Sequence, residues 1–301
     1  MAAGRRRAGP PSPALGIVLV LLAATGFGLL PLLLRAAYGT GISPEVATFY
    51  RYGVPPLFFV PLLPRLIRQP RLLAITFASG LFLGFGILGY FRALHDMPVA
   101  VAALIFFTFP LFAVVIGFVL FRLVPDRRAL AGAALVLISC TLFLDPSDLA
   151  TRPMAVLHAF AAPMSYATVI LVVSHVLADA DRFLVMAGIY LGTAITSGLP
   201  LVTGGDVQLL PTTAAGITVG IALVTVGGIL PQLALVYGAP VVGPARTSII
   251  AAFELVVALS SGWILLREPV RLVEVVSALL IVTAIVLAAT ARPAHVEAVR
   301  E

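Results

Sequence analysis

Ten apolar runs, separated by arginine-bearing or Pro/Gly-rich breaks, limit this chain more than any other feature. They lie near residues 14–35, 45–64, 72–94, 98–121, 129–144, 153–177, 183–203, 213–236, 243–266 and 270–290. A run of about 20 apolar residues can span a bilayer as a helix. In hydrocarbon the backbone must satisfy its own polar groups, so each run is expected as one continuous helix. Composition agrees: 61% of the 301 residues are hydrophobic, 11% are charged, and the mean hydropathy is +1.12. A soluble domain of this length has no interior large enough for that much apolar surface. Arg5–Arg7 followed by the run from Ala14 to Leu34 has the layout of a signal peptide. The run is long for one, and nine more follow it, so it reads as a retained first span.

All 19 basic residues are arginine. With the N-terminus in the cytoplasm, 12 fall in inside loops (Arg5, Arg6, Arg7, Arg65, Arg68, Arg71, Arg122, Arg127, Arg128, Arg182, Arg292 and Arg300). Outside loops hold four, Arg35, Arg152, Arg267 and Arg271. The bias favours both termini inside and accounts for the net charge of +6 without a nucleic-acid partner. The absence of lysine excludes Schiff-base chemistry on a side chain. The single Cys140 excludes a disulfide within the chain and reads as a small core residue.

Sliding the chain by 142 residues aligns Pro98 with Pro240, Val114-Val115 with Val256-Val257, and Asp126 with Glu268. Five spans per half is an odd number, so homologous halves would insert in opposite orientations, the plan of many secondary transporters. Four stretches carry a family likeness: TGFG (25–28), SPEVATFYR (43–51) ending in Arg51, YFRALHDMPVAVAALIFFTFPLF (90–112), and LLREPVRL (265–272) with Glu268 as its acid. In these stretches and in its span count the chain resembles the EamA family of the drug/metabolite transporter superfamily over about residues 14–290. It departs from the family pattern at Phe27, where a tryptophan is usual, and at Ala252, opposite Pro110 of the first half. The resemblance implies ten spans in two repeats and transport, by export, of a small organic solute.

Glu254 is the only charge between Thr247 and Leu266. Intramembrane ionisable groups usually face a cavity and mark a pathway. On a continuous helix Arg246, eight residues earlier, shares a broad face with Glu254, about 12 Å away. Arg51, between Tyr50 and Tyr52, suits capture of a carboxylate, although a snorkelling interfacial arginine has the same signature. Tyr90 and Gln232 align at the 142-residue offset and, with Tyr166 and Tyr190, could line an apolar pocket or simply bond a neighbouring helix. His158 should face the bundle interior. Arg92, His95, Trp263 and the pair Arg271–Glu274 read as interface residues, and Phe106, Phe107, Phe109 and Phe112 as packing. Gly80/Gly84 and Gly188/Gly192 allow close helix approach.

There is no HExxH, GxSxG, GxxxxGK[ST] or Cys/His cluster. No cofactor and no metal are therefore expected. The expected fold is an all-α integral membrane protein with ten transmembrane helices as two inverted five-helix repeats. Its parts are a cytoplasmic tail (1–13), a first repeat (14–145), a second repeat (153–290) and a second cytoplasmic tail (291–301). The expected activity is secondary transport of a small metabolite in a bacterial plasma (inner) membrane, with the lipid bilayer as partner and protons as candidate coupling ions. Glu254, Arg51, Arg246, Tyr90, Gln232, Tyr50 and His158 are the candidate substrate- or proton-binding residues. The rival expectation is a membrane-embedded enzyme for lipid-linked substrates, which would cluster acids or histidines at one membrane face. Oligomeric state is open at this stage.

Overall fold

The computed structural model describes residues 13–143, 152–203, 208–242, 244–290 and 295–296, and these are overwhelmingly helical. Seven helical stretches among them are long and apolar enough to cross a membrane. The first is α1 (Pro13–Gly28) continued by α2 (Leu30–Gly39), followed by α6 (Pro70–Asp96) and by α7 (Val99–Phe106) with α8 (Phe109–Phe121). Next come α10 (Pro153–Leu171, with a π turn to Val176), α11 (Arg182–Thr203), α12 (Ala214–Val224) joined through a π turn to α13 (Leu230–Val242), and α16 (Leu272–Ala289). Residues 1–12 and most of the C-terminal tail lie outside the described residues.

The expectation of continuous helices is corrected in the remaining stretches. Pro55, Pro56, Pro61 and Pro64 divide the second apolar run into α3 (Pro44–Tyr52), α4 (Pro56–Phe59), a 3-10 turn and α5 (Leu63–Ile67). Each proline lacks an N–H and crowds the preceding turn. The fifth run is α9 (Arg127–Phe143), 17 residues long. The ninth run divides at Ala252 into α14 (Pro244–Ala251) and α15 (Phe253–Ser260), and ends in a π turn, Ser261–Leu265. The first and fourth runs also break, at Leu29 and at Phe107-Thr108. Interrupted helices are tolerated in membranes where the freed backbone groups face protein or a cavity.

Interhelical contacts sort the turns onto two ends of the bundle. At one end the Val99 N–H donates to Glu268 Oε1 at 2.8 Å, Arg92 Nε meets Glu45 Oε1 at 2.9 Å, and Arg152 Nη1 donates to the Asp96 carbonyl. At the other end Arg128 Nη1 donates to the Thr290 carbonyl at 2.9 Å, and the rings of Phe121 and His175 lie 6.0 Å apart. There the backbone of β1 (Leu123–Val124) also pairs antiparallel with β2 (His295–Val296). The α7–α8 segment therefore runs from the Glu268 end to the Asp126 end, whereas α14–α15 runs the opposite way. Where α9 crosses α16, Ser139 and Ser277 each donate a hydroxyl hydrogen to the other's carbonyl, at 3.1 and 3.4 Å.

The tightest crossing joins α6 to α11, and the spaced glycines make it. A Cβ at Gly80 would lie 2.1 Å from the Ile189 carbonyl oxygen, and one at Gly192 2.2 Å from that of Phe77. At Gly84 and Gly188 the obstructing atoms are Thr196 Oγ1, at 1.7 Å, and Thr76 Oγ1, at 1.9 Å. Backbone oxygens cannot rotate away, so this contact depends on the absence of side chains. The expected outcome for Gly192→Ala is destabilisation by about 1–3 kcal/mol, read as a lowered thermal midpoint of the detergent-purified protein. Gly39→Ala, where no atom lies within 4 Å of the added carbon, should leave the midpoint unchanged or slightly raised. Equal midpoints for the two variants would contradict this packing account.

Candidate functional site

The broken segments converge on a central cavity of about 250 Å³, and both halves of the chain line it. Gly28 lets α1 cross α15 closely: a Cβ there would meet the Glu254 carbonyl at 2.6 Å and the Val257 side chain at 2.6 Å. That crossing brings Phe27, two residues before the break in the first span, to the cavity wall. From α3 come Arg51 and Tyr52, in its last turn before the proline-rich stretch. Tyr90 of α6, Phe106 of α7, Tyr166 of α10 and Tyr190 of α11 supply most of the aromatic surface. Gln232 of α13 and Glu254 of α15 add polar groups from the second half.

Arg51 is buried, with 4% of its surface exposed. Its guanidinium carbon lies 5.6 Å from the centre of the Phe27 ring and 4.6 Å from that of Tyr52. Nε and Nη1 have no hydrogen-bond partner among the described residues. Gly228, in the π turn between α12 and α13, lies beside the side chain: a Cβ there would be in ordinary contact, 3.4 Å from Arg51 Cδ and 3.5 Å from Nη1. Arg51 lies in the electrostatic field of Tyr52, Tyr190 and Glu254. It forms no ion pair with Glu254 among the described residues. The two ionisable side chains thus line one apolar chamber without forming an ion pair among the described residues. Cation–π contact contributes about 0.5–2 kcal/mol, less than the desolvation of a guanidinium. The arrangement is therefore complementary to a polar or charged guest.

Two further cavities adjoin the central one, both toward the Asp126 end. One, of about 620 Å³, shares Tyr166, Leu235 and Glu254 with it and extends to Asp126 and His175. The other, of about 440 Å³, shares Met186, Tyr190 and Gln232 and extends to Arg65 and Asp181. Polar contacts cross the Glu268 end instead, among them the Tyr38 hydroxyl donating to the Phe91 carbonyl at 2.8 Å.

Of the candidate residues, Glu254, Arg51, Tyr90 and Gln232 lie together in the cavity wall. The other three lie elsewhere. Arg246 is exposed and lies outside the cavity, because the break at Ala252 ends the continuous helix that was to place it on the Glu254 face. Tyr50 packs its ring on Gly220 and donates its hydroxyl to the Leu209 carbonyl. His158 is half-buried, with its backbone against Gly89 rather than in the cavity. Phe27 and Tyr52 were missed as site residues; only their closeness in sequence to TGFG and to Arg51 pointed to them. Phe106 and Phe107, read as packing, also line the chamber. Of the residues read as interface residues, Trp263 is half-buried and Glu274 is packed inside the protein at the first turn of α16. Glu274 is buried at 3% exposure and accepts from Trp263 Nε1 at 3.2 Å. No group of three or more His, Cys, Asp or Glu side chains among the described residues could hold a metal ion.

Comparison with known proteins adds two findings. The model of the EamA-like transporter family matches the chain twice, over residues 14–144 and 153–290. A protein of known crystal structure superposes with a TM-score of 0.61 over 92% of this chain and 97% of its own, at 18% identity, which is a likeness of fold alone. No curated protein matches significantly.

Proposed function

The chain belongs to the EamA-like transporter family, and on that premise we propose that it is a secondary transporter of small organic metabolites. Amino acids and drug-like amphipathic solutes fit the chamber, and export or facilitated movement fits the family. The observation that supports the reading is the cavity wall itself: a buried Arg51 with Nε and Nη1 unsatisfied among the described residues, and a Glu254 carboxyl across one aromatic chamber. The guanidinium receives an anionic group of the solute, the rings cover its apolar body, and Glu254 faces an amine or carries a coupled proton.

Alternating access between the two repeats accounts for the asymmetry of the ends. The seven long helices, together with the divided run 44–67, α9 and the divided run 244–265, make ten crossings. The arginine bias supports both termini on the cytoplasmic side, with Glu268 outside, and a bacterial inner membrane is the proposed location. A reporter that works only in the cytoplasm, fused to the C-terminus, should be active; a silent reporter on well-expressed protein would contradict the ten-span topology.

Glu254→Gln keeps the side-chain shape and removes the ionisable group. The expected outcome is normal insertion with transport in proteoliposomes lowered at least about ten-fold, or stripped of its pH dependence. Unchanged transport across pH, at equal protein in the membrane, would remove Glu254 from the mechanism.

A further inference from the structure

The Glu268 carboxylate spans the two repeats. Its Oε1 accepts from the Val99 N–H at 2.8 Å and its Oε2 from the Ala100 N–H at 3.3 Å. These are the first two amides of α7, which has no side-chain cap of its own after Pro98. The first N–H groups of a helix lack intrahelical partners, and its N-terminus favours an anion. Here that anion comes from the opposite half of the chain.

The local backbone is shaped to deliver it. The π turn Ser261–Leu265 leads into Arg267, whose φ of +55° is in the left-handed region. The Glu268 N–H then donates to the Gly262 carbonyl at 3.1 Å, folding the carboxylate back over Gly262. A Cβ on Gly262 would stand 2.8 Å from Glu268 Oε2, so glycine leaves the room the carboxylate occupies. The Trp263–Glu274 bond ties the same turn to the first turn of α16. From Val99, α7 runs to Ala103 and Phe106, both in the wall of the central cavity. Holding the start of α7 therefore holds one side of the chamber.

We propose that Glu268 is a latch that closes the chamber at its own end while the Asp126 end is open, and that its two bonds to α7 must part for the chamber to face the other way. The two cavities toward the Asp126 end share walls with the chamber, and the latch lies at the opposite end. Arg35, which donates to the His95 carbonyl at 3.4 Å and to that of Met97, holds the same connection from within the first half. Glu268 supplies the charged bonds to it from the second repeat.

The proposal rests on alternating access but is tested without any solute. In a Cys140→Ser background, Ala103→Cys places a thiol in the chamber wall. A charged, membrane-impermeant methanethiosulfonate is applied to either face of sealed vesicles. Val270→Cys, on an exposed residue two positions from the latch, identifies the Glu268 face. With Glu268 intact, the Ala103→Cys thiol should react from the Asp126 face and be protected from the Glu268 face. Glu268→Ala should raise its reaction rate from the Glu268 face by about ten-fold or more, the scale of one lost charged hydrogen bond. Glu268→Gln, which keeps an acceptor oxygen without the charge, should fall between. Unchanged protection in Glu268→Ala, with reaction from the Asp126 face intact, would overturn the latch. Loss of reactivity from both faces in both variants would assign Glu268 a purely structural role and overturn it equally. A transport assay that fails while the thiol becomes exposed would count against the carrier reading and leave the latch standing.

Discussion

The structure is organised around a buried guanidinium, that of Arg51, whose Nε and Nη1 have no hydrogen-bond partner among the described residues. Placing an arginine at the centre of a membrane helix costs about 2.5–3.5 kcal/mol on insertion scales. Stacking on Phe27 and Tyr52 returns part of that, about 0.5–2 kcal/mol for a desolvated contact. The remainder leaves the site suited to a guest that meets the free Nε and Nη1. Much of the nearby architecture serves this placement. α3 stops after Tyr52, Gly228 packs beside the Arg51 side chain, and the breaks at Leu29 and Ala252 flank Phe27 and Glu254.

Two kinds of helix contact divide the work around the chamber. The α6–α11 crossing is locked at Gly80 and Gly192, where an added side chain would strike backbone carbonyl oxygens that cannot rotate away. The contacts at the Glu268 end are hydrogen bonds and one ion pair between turns, which can separate and reform without repacking a core. A rigid seam beside a breakable closure suits the alternating access proposed above.

The sequence disclosed the ingredients better than their neighbours. Glu254 stood out because no other charge shares its run, and that isolation correctly marked a cavity residue. Tyr90 and Gln232 were found through the repeat offset, which survives where identities do not. Arg246 failed for a physical reason: eight residues on an unbroken helix share a face, but Ala252 interrupts the helix without a proline or glycine to announce it. Phe27 and Tyr52 look like any membrane aromatic until the fold brings the guanidinium between them. Trp263 and Glu274 were assigned to the interface from their places near span ends, and only tertiary packing shows that they bond each other. In the second run four prolines, Pro55, Pro56, Pro61 and Pro64, each lack the N–H that a continuous helix needs.

The central claim is that Arg51 waits for the anionic group of the solute. Its most direct test is to measure binding of labelled amino acids, aromatic and aliphatic, and of the matching amino-acid amides to the purified protein and to Arg51→Gln. The account predicts that wild-type protein binds at least one carboxylate more tightly than its amide by about 10- to 100-fold, the value of a charge-assisted hydrogen bond. It predicts that Arg51→Gln abolishes this preference while retaining the amide. A carboxylate preference that persists undiminished in Arg51→Gln, or a wild-type protein indifferent to the carboxylate, would contradict it.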